Sequence, residues 1–275
     1  MTENSGTFLA GWIHRSRVLE PAVPHPAVIT TRILTGPLPR IAAWLTAEAA
    51  ASGVAAGRLA RPLPIDDFIE LGRLLGDPYE ERAAEVQPFV SKRYVLNLTA
   101  RSPAAAPTAL QPFSQAPLTL HTESSGAPLD RQPRYICLMC QDPGDPDVAQ
   151  TVAVPMEQVA AALAGKTRAI LRATRYDGPD CPTILRGPDE RPIFAFRDFG
   201  SDPLDWRAGN ASSEEVNAAL NELTGSLYAA PVAAVRWERA LIVLIDNQRV
   251  FHGRTAGRGL GAGRHLQRLR LLARS

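Results

Sequence analysis

The sequence predicts a mainly β fold in which two sheets pack face to face and flanking helices lie outside them. Two observations carry this expectation. Helical patterns dominate the first part of the chain, and from Pro117 onward short strands follow one another between turn residues, with two helical interruptions. No internal repeat and no convincing linker divides the 275 residues. One domain is therefore expected over 1–275, with a helical part over about 1–90 and a β core over about 91–275.

The elements follow in order. Residues 39–52 (PRIAAWLTAEAAAS) have helical composition and stop at Gly53. Residues 65–75 form a second helix, because Asp66 and Asp67 suit its N-terminus while Phe68, Leu71, Leu74 and Leu75 share one face. Residues 92–99 (KRYVLNLT) alternate like a strand, and 100–115, rich in Pro, Ala and Ser, read as a loop. Strands are expected at 118–121, 135–141, 150–154, 192–197, 233–238, 240–245 and 265–272. Residues 183–185 and 193–196, joined through Gly187-Pro-Asp-Glu, read as a hairpin. The interrupting helices are 156–164 and 212–227, the second opening on Ser212-Ser-Glu-Glu, a capping-box start.

Composition narrows the function classes. A net charge of +2 gives no reason to expect nucleic acid or membrane as a partner. No apolar stretch approaches the ~20 residues that span a bilayer. Residues 1–11 lack the basic start and apolar run of a signal peptide, so a cytoplasmic location is expected. Cys137 and Cys140 form a C-x-x-C, but residues three apart on a strand point to opposite faces, and no second pair completes a zinc site. Both read as buried small hydrophobes.

The chemistry concentrates elsewhere. His121-Thr-Glu123 places an imidazole and a carboxylate two positions apart at a strand end, where both can reach one ion. The best third ligand is His252, which follows the apolar strand Leu241-Ile-Val-Leu-Ile and a turn at Asp246-Asn247. Two histidines and one carboxylate on one face of an octahedron leave three positions open, the geometry of non-haem iron(II) oxygenases. Beyond His252, Arg264, Arg268 and Arg270 fall on one face of a strand with Leu266, and Leu269 and Leu271 fall opposite. Cations on one side of a strand call for an anion, and a dicarboxylate gripped by guanidinium supplies one.

These motifs together resemble the taurine dioxygenase and clavaminate synthase family of iron(II)/2-oxoglutarate oxygenases. The pieces are Leu118-Thr-Leu-His121-Thr-Glu123, then Leu244-Ile-Asp-Asn-Gln-Arg-Val-Phe-His252-Gly-Arg254, then Arg264-x-x-x-Arg268. The resemblance implies a double-stranded β-helix (jelly-roll) core over about 91–275. It implies Fe(2+) on His121, Glu123 and His252, with 2-oxoglutarate and O2 as co-substrates. Arg264 would pair with the distal carboxylate of 2-oxoglutarate, and Arg268 matches the family's second arginine, near the substrate or the C1 carboxylate. Thr151 is the nearest match to a threonine that touches 2-oxoglutarate; a plain strand threonine is the alternative. Because Glu123 is present, the resemblance favours hydroxylation, desaturation or ring formation over halogenation, with succinate and CO2 as co-products.

The implied substrate is a small amino-acid-like or natural-product molecule, as in antibiotic biosynthesis; scavenging of a primary sulfonate or other carboxylate is the competing idea within the family. Arg197 and Asp198 are candidates for its carboxylate and amine, with a structural ion pair as the other reading. Ser124 and Ser125 leave the metal on a loop and border the pocket, and Phe113 and Gln115 are candidates to line it. The competing reading is a zinc-type hydrolase using the same two histidines and glutamate, which leaves the arginine strand without a purpose.

Overall fold

The computed structural model describes residues 14–26, 29–99, 110, 113, 116–144, 149–176, 178, 180–197, 206–257 and 264–274. Strand β1 (Thr31–Ile33) leads into helix α1 (Leu38–Ser52); β2 (Val54–Arg58) returns parallel to β1, and helix α2 (Ile65–Leu75) follows. Gly53 ends α1 at φ 83°, a left-handed conformation that glycine adopts without a Cβ clash, and its N–H donates to the Ala49 carbonyl. Short strands β3 (Asp77–Pro78) and β4 (Val90–Ser91) precede β5 (Val95–Thr99). The strand expected from residue 92 begins at Val95, because Lys92 and Arg93 take positive φ (52° and 70°) and fold β5 back on β4.

The β-rich part runs through β6 (Leu118–His121), β7 (Tyr135–Asp142) and β8 (Thr151–Pro155), then helices α3 (Met156–Ala162) and α4 (Gly165–Ala173). Short strands β9 (Thr174–Tyr176), β10 (Leu185–Arg186), β11 (Ile193–Phe194) and β12 (Trp206–Ala208) follow, then helix α5 (Ser213–Ala229). Last come β13 (Ala233–Val235), β14 (Leu241–Asp246), β15 (Val250–Arg254) and β16 (His265–Leu272). Ser212 caps α5 with the reciprocal Ser212–Glu215 bonds read from the sequence. The hairpin β10–β11 also forms, shorter than expected at both arms.

The strands make a double-stranded β-helix. The larger sheet has the order β1-β2-β14-β7-β16-β5-β4, with β3 also paired to β16; the smaller is β13-β8-β15-β6. Strand alternation sorts each sheet into two faces. Ile136, Leu138, Cys140, Val243, Ile245 and Leu266 face inward, where they meet Ala153, Val235, Trp237 and Val250. The opposite face of the larger sheet, with Cys137, Met139, Ile242, Leu244, Leu269 and Leu271, packs on Ile41, Leu45, Phe68 and Leu71 of α1 and α2. The smaller sheet buries Leu120, Val152, Val154 and Phe251 against α3, α4 and α5. Cys137 and Cys140 thus lie on opposite faces of β7, both buried and unbridged.

The N-terminal part is less purely helical than its composition suggests, since β1 to β4 all join the larger sheet. Helix α4 and strands β1 to β4, β9, β12 and β15 are not among the elements expected from the sequence. Most of 100–115 lies outside the described residues, as do Gln115 and Asp198. Among the described residues, no helix is long and apolar enough to cross a membrane.

Candidate metal centre

Strands β6 and β15 lie antiparallel at the mouth of the space between the sheets, and their register sets His121 opposite His252. Their rings sit 4.4 Å apart, centroid to centroid. Glu123 follows two residues past His121. One donor atom from each of the three side chains lies within 4.8 Å of the other two. Glu123 Oε2 is 3.7 Å from His121 Nε2 and 4.0 Å from His252 Nε2. Bonds of about 2.1 Å at right angles put donor atoms about 3 Å apart, so a small contraction of side chains closes this set around one ion.

The protonation states fit a metal. His121 Nδ1 lies 2.7 Å from the Thr119 carbonyl, an acceptor for its N–H, and Nε2 faces Glu123. Burial pushes the His252 imidazole down to about 3, and the neighbouring His121, Arg268 and Arg197 add to the effect against the opposing pull of Glu123, so the ring is neutral. Burial alone would raise the Glu123 carboxyl, yet Arg268, His121 and Arg270 together hold it well below the usual carboxylate range. His252 Nδ1 is buried without a hydrogen-bond partner among the described residues. A carboxylate and two imidazoles, that of His252 held neutral by its burial, suit a divalent ion.

Backbone clamps fix this geometry. The Asn247 side chain accepts from the Glu123 N–H at 2.8 Å and donates to the Glu123 carbonyl at 3.2 Å and the Pro133 carbonyl at 2.9 Å. Asn247 lies in the β14–β15 turn, so the segment that carries His252 also grips the backbone of Glu123. The turn is held in its own right by Asp246, whose carboxylate is fully buried and paired with Arg134 at 2.5 Å.

Behind the donors a cavity runs between the sheets, with Leu98, Phe113, Ile136, Leu138, Ile245 and Leu266 as apolar walls and Thr151, Arg254, Arg264 and Arg268 as polar ones. Thr151 opens β8, pairs in register with Arg254, and its hydroxyl accepts from Trp237 Nε1 at 3.3 Å. Arg264 donates to the Ala149 carbonyl at 2.5 Å. Burial lowers the basicity of both Arg264 and Arg254, and Arg264 lowers that of Arg254 further, to about 9. Arg254, buried, and Arg264, half-buried, thus stand together in the cavity wall, a pairing chemically suited to an anion.

The remaining sequence candidates divide. The backbone of Arg197 bridges to that of His121, and its charge bears on His252. Ser124 turns the chain at φ 56° with its Oγ 3.4 Å from Arg270 Nη1. Ser125 is buried, accepts from the Tyr176 hydroxyl at 3.3 Å, and does not line the cavity. Two charged residues were missed. Arg254 had a signal, because it stands two positions past His252 on the same strand face. Glu81 had none: it comes from the segment after β3 and meets Arg268 at 3.3 Å and both fork nitrogens of Arg270, across more than half the chain.

Comparison with known proteins places these features in context. The model of the family "Taurine catabolism dioxygenase TauD, TfdA family" matches residues 43–270. A search of curated proteins found no match. Among solved structures, the chain is similar to an asparagine oxygenase in complex with Fe(II), 3-hydroxyasparagine and succinate: TM-score 0.65, 20% identity, over 86% of this chain and 79% of that one. It is similar to PvcB, an Fe, alpha-ketoglutarate dependent oxygenase from an isonitrile synthetic pathway, with TM-score 0.61 and 22% identity over 84% and 79%. It is also similar to the non-haem iron oxygenase OrfP with Fe and L-Arg, with TM-score 0.63 and 18% identity over 89% and 94%. At these identities the structural likeness concerns the fold. None of these matches supports a zinc hydrolase.

Proposed function

Because the chain belongs to the taurine catabolism dioxygenase TauD, TfdA family and is an iron(II)/2-oxoglutarate-dependent oxygenase, we propose that His121, Glu123 and His252 hold its iron and that its primary substrate is a small amino acid or amino-acid-derived intermediate. The observation that carries the metal assignment is the convergence of one donor atom from each of His121, Glu123 and His252 within 4.8 Å, the two histidines buried and the carboxylate half-buried. Iron in this site supplies oxidation of an otherwise inert C–H bond, coupled to conversion of 2-oxoglutarate and O2 to succinate and CO2.

The protein's own residues bind and orient. Arg264 takes the distal carboxylate of the five-carbon diacid, with Arg268 and Thr151 nearer the metal. The apolar cavity walls keep water from the reacting end. For the primary substrate, Arg197 beside His121 meets the carboxylate, Asp198 the amine, and Ser124 borders the site, with Ser125 behind it on Tyr176. Related folds that hold asparagine-derived and arginine ligands favour this substrate class. Hydroxylation is the reaction we favour, in the making of a natural product, within a single domain over 1–275. The cytoplasm is the compartment we propose, in keeping with three cysteines that form no disulfide.

The test is a screen of amino acids and related metabolites for substrate-stimulated succinate release. A hit whose turnover vanishes in His121→Ala, Glu123→Ala and His252→Ala, and which needs more 2-oxoglutarate in Arg264→Ala, supports the proposal. Turnover that survives iron depletion contradicts it.

A further inference from the structure

We propose that Glu81, acting through Arg270, is a positioning residue that leaves Glu123 a one-oxygen metal ligand. The inference rests on the assignment of Glu123 to the metal. The two oxygens of Glu123 face different surroundings. Oε2 looks toward the histidines, 3.7 and 4.0 Å from their Nε2 atoms. Oε1 looks the other way, 3.4 Å from Arg270 Nη1 and 3.5 Å from Arg268 Nη1.

Two guanidiniums beside one carboxylate endanger a metal site. A guanidinium fork matches both oxygens of a carboxylate and grips them in parallel, which would draw Oε2 off the ion. Glu81 prevents that by engaging both arginines first, Arg270 through its fork and Arg268 through one nitrogen. It accepts from Arg270 Nε at 2.8 Å and from Arg270 Nη2, and it takes Arg268 Nη2 at 3.3 Å. Each arginine turns one nitrogen, Nη1, toward Glu123, and Arg268 Nε has no hydrogen-bond partner among the described residues. Arg270 shares that nitrogen with Ser124 Oγ at 3.4 Å.

Glu81 is built into place. It is buried, at 4% exposure. Its N–H donates to the Arg93 carbonyl at 2.9 Å, and its carbonyl accepts from Gln87 at 2.5 Å. Strand β3 pairs with the end of β16, and the Tyr79 N–H donates to the Arg270 carbonyl at 2.8 Å. The Tyr79 ring lies 4.5 Å from the Arg270 guanidinium carbon. Tyr79 and Glu81, two residues apart, both reach the Arg270 guanidinium. Arg270 is thus held by a ring and by a carboxylate fork, both supplied from outside the metal strands. Two arginines against two carboxylates also leave this buried cluster neutral before any metal arrives.

The experiment is anaerobic titration of the full-length apoprotein with Co(II) and Fe(II) against a chromophoric chelator, with circular dichroism to verify folding. Glu81→Gln keeps the shape and one acceptor oxygen but frees the Arg270 fork, and is expected to weaken metal binding about 10- to 100-fold, the range for residues that support a ligand. Adding Arg270→Met to Glu81→Gln removes the competing fork and is expected to recover most of that loss. A purely structural role for Glu81 predicts no recovery. Wild-type affinity in Glu81→Gln, or a double variant as weak as the single one, overturns the inference. Should Glu81→Gln fail to fold, the double variant decides alone: wild-type-like affinity supports the inference, and weakened affinity overturns it. Glu123→Ala separates the two levels. If it binds metal as the wild type does, the metal assignment falls; if it binds weakly while Glu81→Gln does not, only this inference falls.

Discussion

Asn247 carries no chemistry of its own, yet its one buried amide satisfies the N–H and the carbonyl of Glu123 and reaches Pro133 as well. An amide presents both an acceptor and two donors, which is why it can grip both backbone groups of one residue. Asn247→Ala leaves the Glu123 N–H without its acceptor and is expected to cost about 1–3 kcal/mol in stability. It should also weaken metal binding, because the Glu123 side chain loses its fixed origin; chemical unfolding and a metal titration measure the two effects. The sequence marked residues 246–247 only as a turn. His121, Glu123 and His252 were legible because strand parity and side-chain chemistry are local properties. The clamp by Asn247 and the fork held by Glu81 are contacts between distant segments, and no local pattern announces them.

Strand β15 shows how an element turns sequence into a site. Val250 and His252 alternate with Phe251, which packs in the outer core, and Gly253 separates His252 from Arg254. A Cβ at Gly253 would lie 2.6 Å from the Leu118 carbonyl oxygen and 3.3 Å from that of Thr119, the acceptor for His121. Glycine there lets β6 approach closely enough to set the two histidines opposite each other, their rings 4.4 Å apart and tilted by 46°. Gly253→Ala is therefore expected to push β6 away, at about 1–3 kcal/mol, and to lower metal affinity through His121; thermal unfolding and metal titration check this. Helices α1, α2 and α5 were readable from composition, a shared apolar face and a capping box. Strand β2 (Val-Ala-Ala-Gly-Arg) was not, since it has little β-branched content and owes its form to pairing with β1 and β14. The strand β16 was legible in both faces: its leucines and arginines alternate as the two cores demand.

Across the molecule the same alternation does two jobs. One set of faces packs against helices on the outside of each sheet, and the other set encloses a space lined by the three candidate metal donors and by guanidiniums. A ferrous ion and a five-carbon diacid would share that space, the diacid reaching from the metal toward Arg264. The most direct test is anaerobic addition of Fe(II) and then 2-oxoglutarate to the purified protein while the visible spectrum is recorded. A weak absorption band that needs both additions, and that is lost in His252→Ala, is the expected result. A wild-type spectrum unchanged by 2-oxoglutarate, or a band undiminished in His252→Ala, would contradict the shared metal and co-substrate site.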